Sequence, residues 1–323
     1  MWVTWREAIE QALYGEAGFY IHQRPLRHYR TSVGVSPVFA EAVLRVLVDV
    51  DERLGHPDPL DFVDVGAGDG TLAVGVLSLA PQELTGRLRI TAVELAPRPA
   101  GLAPRIAWAS AVPDRVRGLV IANEWLDNVP LDLAEQTDQG PRLVLVNPRT
   151  GVERLGPEPS ERDLAWLGRW WPMKNPGDRA EIGRTRDEAW AALIGKLDRG
   201  LAIAADYAHP MESRPLAGTL TAYREGRTVR PIPDGSCDIT AHVALDSCAE
   251  AGVRAGANAT VLTTQREAMI ALGVTGARPP LQLAHADPRG YLRALTRAAE
   301  EAELIDPAGL GGFGWLTQQV NLA

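Results

Sequence analysis

Cysteine is almost missing from this chain of 323 residues, which carries only Cys237 and Cys248. Two thiols in this context build neither a disulfide framework nor a zinc site, and no metal is expected. Lysine is nearly missing as well, Lys174 and Lys196 being the only two. Basic charge is therefore almost all arginine, which together with abundant alanine reads as GC-rich coding and not as function. Positive charge is in deficit. A net charge of −8 argues against a general nucleic-acid binder, which needs a basic face. No apolar run is long enough to span a bilayer, and Met1-Trp2-Val3-Thr4-Trp5-Arg6 does not read as a signal peptide. Internal repeats and low-complexity tracts are absent too. These gaps lead to the expectation of a cytoplasmic protein with no nucleic-acid or membrane partner. The length allows one large domain or a core with an insertion.

What is present centres on Leu60-Asp61-Phe62-Val63-Asp64-Val65-Gly66-Ala67-Gly68-Asp69-Gly70-Thr71-Leu72. Phe62, Val63 and Val65 read as a short buried strand that breaks into glycines at alternate positions, and Thr71 to Leu79 reads as a helix. Missing Cβ atoms let the backbone approach a ligand, and the N–H groups of a helix start point at it. The dinucleotide fingerprint spaces its glycines differently, and here Thr71 stands where that fingerprint wants its third one. Asp64 would repel a phosphate and attract an ammonium or a sulfonium. S-adenosyl-L-methionine carries both cations and no phosphate. A second strand, Leu88 to Val93, ends in Glu94, where an acidic residue meets a ribose in such folds.

The flanks follow the same logic. Trp5, Ile9, Ala12 and Leu13 share one face of a helix that Gly15 and Gly18 end. Arg24 to Arg30 is basic, with His28 and Tyr29, and reads as a solvated face. Thr31 to Ser36 is a hydroxyl-rich loop of the kind that closes over a ligand, and Ser36 caps a helix starting at Pro37. Arg105–Trp108 and Gly118–Ala122 read as a third and fourth strand. Strands alternating with helices imply right-handed crossovers and a mostly parallel sheet covered on both faces, whose ligands sit beyond the carboxyl ends of the strands. That rim collects Asp64, Gly66, Glu94, Trp108, Ala109, Asn123 and Glu124, and Trp108 or its neighbour could stack an adenine. The alternation then stops. Residues 131–199 hold a β-like segment at Arg142–Val146, a Pro/Gly/Trp-rich stretch, and a helix around Arg186–Leu197. A stretch of this length reads as a lid or substrate-side subdomain. Leu201–Tyr207 resumes the core, Gly218–Tyr223 and Thr228–Ile232 could pair as a hairpin, and Phe313–Thr317 reads as a closing strand.

The second signal is Ala122-Asn123-Glu124-Trp125-Leu126-Asp127-Asn128-Val129-Pro130 at the end of the fourth strand. Methyl transfer to nitrogen depends on aiming a lone pair at the sulfonium methyl, and positioning supplies much of the rate. A guanidinium acceptor needs its plane fixed and its charge offset, which Glu124 and Asp127 could do bidentately. The same residues could equally serve structure, Asn123 as a helix cap and Glu124 and Asp127 at a positive helix N-terminus.

These motifs together resemble the MidA-type methyltransferases, which include the mitochondrial complex I assembly factor that dimethylates an arginine of a complex I subunit. Ala12-Leu13-Tyr14 with Gly18-Phe19-Tyr20 is similar to the family's LY…GYY segment, and Thr31-Ser32 with Ser36 and Phe39 to its TSP…S..F loop. Asp64–Leu72 resembles its glycine motif and Ala122–Pro130 its ANEFFDALP motif. Asp206-Tyr207-Ala208-His209 resembles DYGH, Gly235 with Asp238–Val243 resembles G..DLTAHV, and Thr264-Gln265 with Leu272-Gly273 resembles TQ…LG. The chain departs from the family at Val33, Ala67, Asp69 and Asn128-Val129.

The resemblance implies an α/β fold: a class I methyltransferase, Rossmann-like sheet with helices on both faces and an inserted substrate-side subdomain. The expected division is residues 1–50 as an N-terminal helical segment and cofactor-covering loop, 51–130 with 200–323 as the core, and 131–199 as the insertion. S-adenosyl-L-methionine is expected at Thr31, Ser32, Asp64, Gly66, Gly68, Gly70, Glu94, Leu95, Trp108, Ala109 and Asn123. Asn123, Glu124 and Asp127 are the expected catalytic residues. A pocket drawing on Tyr207, His209, Asp238 and His242 is expected to hold the acceptor, an arginine of a partner protein. The rival expectations are a small-molecule O- or N-methyltransferase and a non-catalytic assembly chaperone that keeps the fold.

Overall fold

The protein is described here from a computed structural model covering residues 1–22 and 31–322. The basic stretch Arg24–Arg30 lies outside the described residues. The chain opens with a capping box: the Thr4 hydroxyl accepts from the Glu7 N–H, and the Glu7 carboxylate accepts from the Thr4 N–H. Helix α1 (Trp5–Tyr14) follows, with Trp5, Ala8, Ile9, Ala12 and Leu13 buried along one face as their spacing requires. Thr31 caps a single turn, α2 (Ser32–Val35), and Ser36 caps α3 (Pro37–Leu54) with Pro37 in its first turn.

Seven strands make the central sheet: β1 (Leu60–Val65), β2 (Leu88–Val93), β3 (Ile106–Ala109), β4 (Val116–Asn123), β5 (Leu197–Asp206), β6 (Ala259–Thr264) and β7 (Gly314–Val320). Their order is β6-β7-β5-β4-β1-β2-β3. The β5-β4-β1-β2-β3 neighbours are parallel, and β7 runs antiparallel between β5 and β6. Every residue of β1 is buried, as expected for a strand with helices on both faces. The strand order reverses at β1, and a crevice opens there beyond the carboxyl ends of β1 and β4.

On one face, α3 and α4 (Thr71–Leu79) place Phe39, Val43, Leu47, Leu72 and Val76 against Phe62 and Ile90. On the other, α5 (Arg184–Ile194) and α6 (Leu245–Arg254) place Trp190, Leu193, Leu245 and Cys248 against Val63, Val120 and Leu316. Helix α7 (Gln265–Ala271) begins with a second capping box, Thr264 with Glu267.

A second sheet lies apart from the first. It pairs Val3–Thr4, Gly140–Val146, Asp132–Thr137 and Arg179–Ile182 in that order, with Glu153–Leu155 on Gly140–Val146. A three-stranded sheet of Thr221–Arg224, Arg227–Val229 and Asp238–Thr240 contains the hairpin foreseen near Gly218–Ile232. One apolar cluster, with Trp5, Leu13, Leu133, Val146, Ala222 and Ile239, joins α1 to both small sheets. The division therefore falls differently from the expected 131–199 insertion. Trp190, Leu193 and Ile194 bury α5 on the central sheet, whereas α1 and Thr221–Thr240 belong with the added layer. Among the described residues no helix is long and apolar enough to cross a membrane.

Candidate active site

A cavity of about 880 Å³ opens at the carboxyl ends of β1 and β4. One wall is the turn that follows β1. Gly66 (φ 71°) and Gly68 (φ 57°) take left-handed conformations that favour glycine. A Cβ on Gly66 would also lie 2.9 Å from the Trp125 ring, so side chain and turn close against each other only because that atom is missing. The Gly66 and Ala67 N–H groups both donate to the Val93 carbonyl, tying the turn to β2. Glu94 ties it again: one carboxylate oxygen accepts from Gly68 N–H (2.9 Å), the other from Leu95 N–H (2.7 Å) and Ala96 N–H (3.1 Å). Asp64 is buried with Oδ2 unpartnered. Burial, and then the charge of Glu94, push its carboxyl up to about 7.

The opposite wall is the end of β4. Glu124 takes a left-handed backbone (φ 52°) that a side chain with a Cβ adopts at a cost of about 1 kcal/mol or more. Its Oε1 accepts from the Ser32 N–H (2.9 Å) and the Asn123 side-chain amide (2.9 Å). Its Oε2 is buried without a donor, and so is Asn123 Oδ1. Burial, with smaller contributions from Asp127 and Asp238, raises the Glu124 carboxyl to about 8. Tyr14 and Tyr20 complete this side with ring centroids 5.6 Å apart. The Tyr14 hydroxyl donates to the Asn128 carbonyl (3.2 Å), and the Tyr20 hydroxyl donates to Asp238 Oδ1 (2.7 Å).

Thr31, Asp64, Gly66, Gly68, Glu94, Leu95, Asn123 and Glu124 thus share one cavity. Other expected residues stand behind its wall. Gly70 begins α4 with its α-carbon side toward Leu102 and Trp108. The Trp108 indole donates to the Ala96 carbonyl (3.0 Å) and packs on the α3/α4 side of the sheet, so it is not placed to stack a base in this cavity. Ala109 contributes its carbonyl to the Glu94 N–H. Ser32 is buried against Glu124 and Gln265.

Asp127 does not join Glu124 at the wall. Its Oδ2 accepts from the Thr240 hydroxyl (2.8 Å), and its carbonyl accepts from Arg186. The expected two-carboxylate grip is therefore corrected to one carboxylate, because the turn Leu126–Asn128 directs Asp127 toward the three-stranded sheet. Tyr207, His209 and His242 are likewise set back from the cavity. The rings of Tyr207 and His242 stack at 5.5 Å, and His209 meets Trp171 edge-on at 4.7 Å. Burial and the adjacent Arg214 hold the His209 imidazole down to about 3, which keeps it neutral. Of that group only Asp238 reaches the site, through Tyr20 and the Asn128 amide.

Two supporting residues had no role in the sequence reading. Asp206, at the end of β5, accepts from the Leu126 and Asp127 N–H groups and so sets the turn that carries the wall. Arg186 is buried, and its guanidinium donates to the carbonyls of Asp127, Val129, Ala241 and His242. It offsets Asp127 and Asp206, whose carboxyls burial pushes up. A buried arginine inside an Arg-rich helix gives no local signal. A strand ending in Asp206 beside a polar turn did offer one.

A parallel sheet with one antiparallel strand between its last two members, an open glycine turn at the switch point and acidic groups on either side define a class I methyltransferase. The orphaned Asp64 oxygen and a turn without Cβ atoms at Gly66 and Gly68 suit a cationic nucleoside such as S-adenosyl-L-methionine and not a pyrophosphate. Residues 42–263 match the family described as "putative S-adenosyl-L-methionine-dependent methyltransferase", and the chain belongs to that family. It is an S-adenosyl-L-methionine-dependent enzyme of that kind. A protein from Burkholderia thailandensis, solved with S-adenosyl-homocysteine bound, is similar over 100% of this chain and 89% of its own at 26% identity, TM-score 0.83. A native structure from the same organism covers 100% and 88% at 26% identity, TM-score 0.80. No functionally curated protein matches the sequence.

Proposed function

We propose that the enzyme transfers a methyl group to a nitrogen, an arginine guanidinium of a partner protein, in a cytoplasmic setting. The observation that carries this reading is the pair of buried acceptor atoms without donors, Glu124 Oε2 and Asn123 Oδ1, on one wall of the cavity. Leaving such atoms unpaired is costly, and a ligand rich in N–H donors would satisfy both. A guanidinium is such a ligand, and the aromatic rings of Tyr14 and Tyr20, which line the same cavity, suit a cation. The resemblance to MidA-type enzymes supports the same acceptor. The S-adenosyl-homocysteine held by the Burkholderia protein supports placing the cofactor in this cavity.

When bound, S-adenosyl-L-methionine supplies a methyl group on a positively charged sulfur. Asp64 would hold a cationic group of the cofactor, and Gly66 and Gly68 would let it approach the backbone. Glu124 has two tasks. An arriving cation lowers its carboxyl from about 8, so that Oε2 is ionised when it grips the guanidinium. Oε2 then takes the proton that the acceptor nitrogen releases. A group poised near the working pH is the efficient choice for that transfer.

The test is incubation with methyl-labelled donor and whole-cell extract. Label recovered as methylarginine after acid hydrolysis is expected. Label confined to small molecules would replace this reading with a biosynthetic methyltransferase. Calorimetric binding of S-adenosyl-homocysteine with no label in any acceptor would leave an assembly chaperone that retains the fold. A folded protein that does not bind S-adenosyl-homocysteine at micromolar concentration would remove the cofactor assignment.

A further inference from the structure

Glu124 is held by a relay that runs through distant parts of the chain. Ser32 and Gln265 are both fully buried. The Ser32 N–H donates to Glu124 Oε1 at 2.9 Å, and the Ser32 hydroxyl donates to Gln265 Oε1 at 3.1 Å. Gln265 is itself fixed at two points. Its Nε2 donates to the Leu304 carbonyl at 3.2 Å, and its backbone N–H donates to the Phe313 carbonyl at 2.8 Å. With the amide nitrogen engaged by a carbonyl, only the oxygen is left to face Ser32, so the serine hydroxyl must be the donor. A four-residue helix such as α2 does not hold its own place and depends on such tethers.

We propose that Gln265 is a positioning residue for the reaction: acting through Ser32, it fills Glu124 Oε1 from inside the protein and leaves Oε2 as the oxygen that meets the acceptor. The inference rests on the reading of Glu124 as the acceptor-facing group. Three observations converge on it. Oε1 has two donors, Ser32 and Asn123, whereas Oε2 has none. Glu124 occupies a strained backbone, which persists only where the surroundings over-determine it. Thr31, next to the latch, is itself on the cavity wall. Gln265 does not line the cavity, so its effect must travel through the two hydrogen bonds.

The relay also sets the charge of the site. Asp127, Asp206, Asp238 and Tyr207 all interact electrostatically with Glu124, and burial disfavours its anion. Against these, the Ser32 N–H and the Asn123 amide are the two groups that stabilise the carboxylate. Loosening Ser32 should therefore raise the Glu124 titration further.

The experiment follows the Glu124 carboxyl carbon by 13C NMR in Glu-labelled protein, its resonance assigned by loss in Glu124→Gln. The midpoint is expected near 8 in the parent. Ser32→Ala and Gln265→Leu keep the Ser32 N–H but remove the hydroxyl latch that aims it, so the midpoint should move up by as much as about one pH unit as that bond to the carboxylate loosens. Ser32→Thr, which keeps the hydroxyl, should return it to the parent value. Under turnover the first two variants should lose about tenfold in kcat with little change in the Kd for S-adenosyl-homocysteine. If Gln265→Leu does not fold, the Ser32 pair decides alone. A midpoint that is the same in Ser32→Ala, Ser32→Thr and the parent overturns the proposal. The titration needs no acceptor, so a shifted midpoint in a protein that methylates nothing upholds the relay and rejects the enzymatic reading instead.

Discussion

Glu94 and Glu124 end the two strands that flank β1, and the protein uses them in opposite ways. Glu94 divides three main-chain N–H groups between its two oxygens, and those bonds hold the glycine turn. Glu124 concentrates two donors on one oxygen and keeps the other buried and bare, at the expense of an uncomfortable backbone and a carboxyl raised to about 8. A carboxylate satisfied by the fold shapes a site. One left half-satisfied is held ready for a proton or a cation from outside, which is how reactive groups are commonly recognised. The Glu94 wall is therefore held mainly through backbone N–H groups, and the Glu124 wall through side chains under electrostatic load.

The largest test of that contrast is Glu124→Gln. It should lower kcat about 10²–10⁴-fold, the range for loss of a general base, while the Kd for S-adenosyl-homocysteine changes only slightly. Equal loss of both would erase the distinction between the two walls. Next is Asp64→Asn, which removes a buried charge from the cofactor side. Calorimetry should show about 10–100-fold weaker binding of S-adenosyl-homocysteine, the expected cost of a hydrogen bond to a charged group. The pH dependence sharpens this further. Asp64 could hold a cation only when ionised, and burial with the charge of Glu94 pushes its carboxyl up to about 7. Affinity should be flat above that pH and fall by up to about tenfold per unit below it, with proton release on binding at pH 6. Pure Coulomb attraction to an already ionised Asp64 would give no such release. The smallest effect is expected for Glu94→Gln. Loss of charge from the turn should cost about 1–2 kcal/mol of stability in thermal unfolding, in contrast to Glu124→Gln, which relieves an unsatisfied acid. A Glu94→Gln protein that melts like its parent would show the turn needs no such brace.

Local patterns in the sequence made the glycine-turn wall legible. The apolar residues Phe62, Val63 and Val65 predict a buried strand, and β1 is buried at every position, Asp61 and Asp64 included. The alternate glycines mark where Cβ atoms are missing, and the structure adds that Gly66, Gly68 and Gly70 take left-handed backbone. The Ser36 hydroxyl cap placed the start of α3, which begins at Pro37. The Glu124 wall was harder because its arrangement depends on partners remote in sequence. Asp127 and Glu124 look alike in a string of letters. Thr240 and the turn around Leu126 separate them, 113 residues apart in the first case. Trp108 sits at the right strand end, but its indole is taken by the Ala96 carbonyl. Gln265 looks like any first-turn glutamine until Ser32 is found against it, 233 positions away. The boundaries of the added layer failed for a related reason. The apolar face of α5 fits either sheet by composition, and only the three-dimensional arrangement assigns it to the central one.

The position of β7 has a consequence for how the molecule comes into being. It is the last strand of the sheet to be synthesised, yet it lies between β5 and β6 and pairs with both along its length. Until β7 has been made, β6 lacks the strand it pairs with among the described residues, and the Phe313 carbonyl that holds the first N–H of α7 comes only just before it. The nascent chain can assemble its glycine turn early, but it gains a properly held Glu124 wall only once β7 has been made.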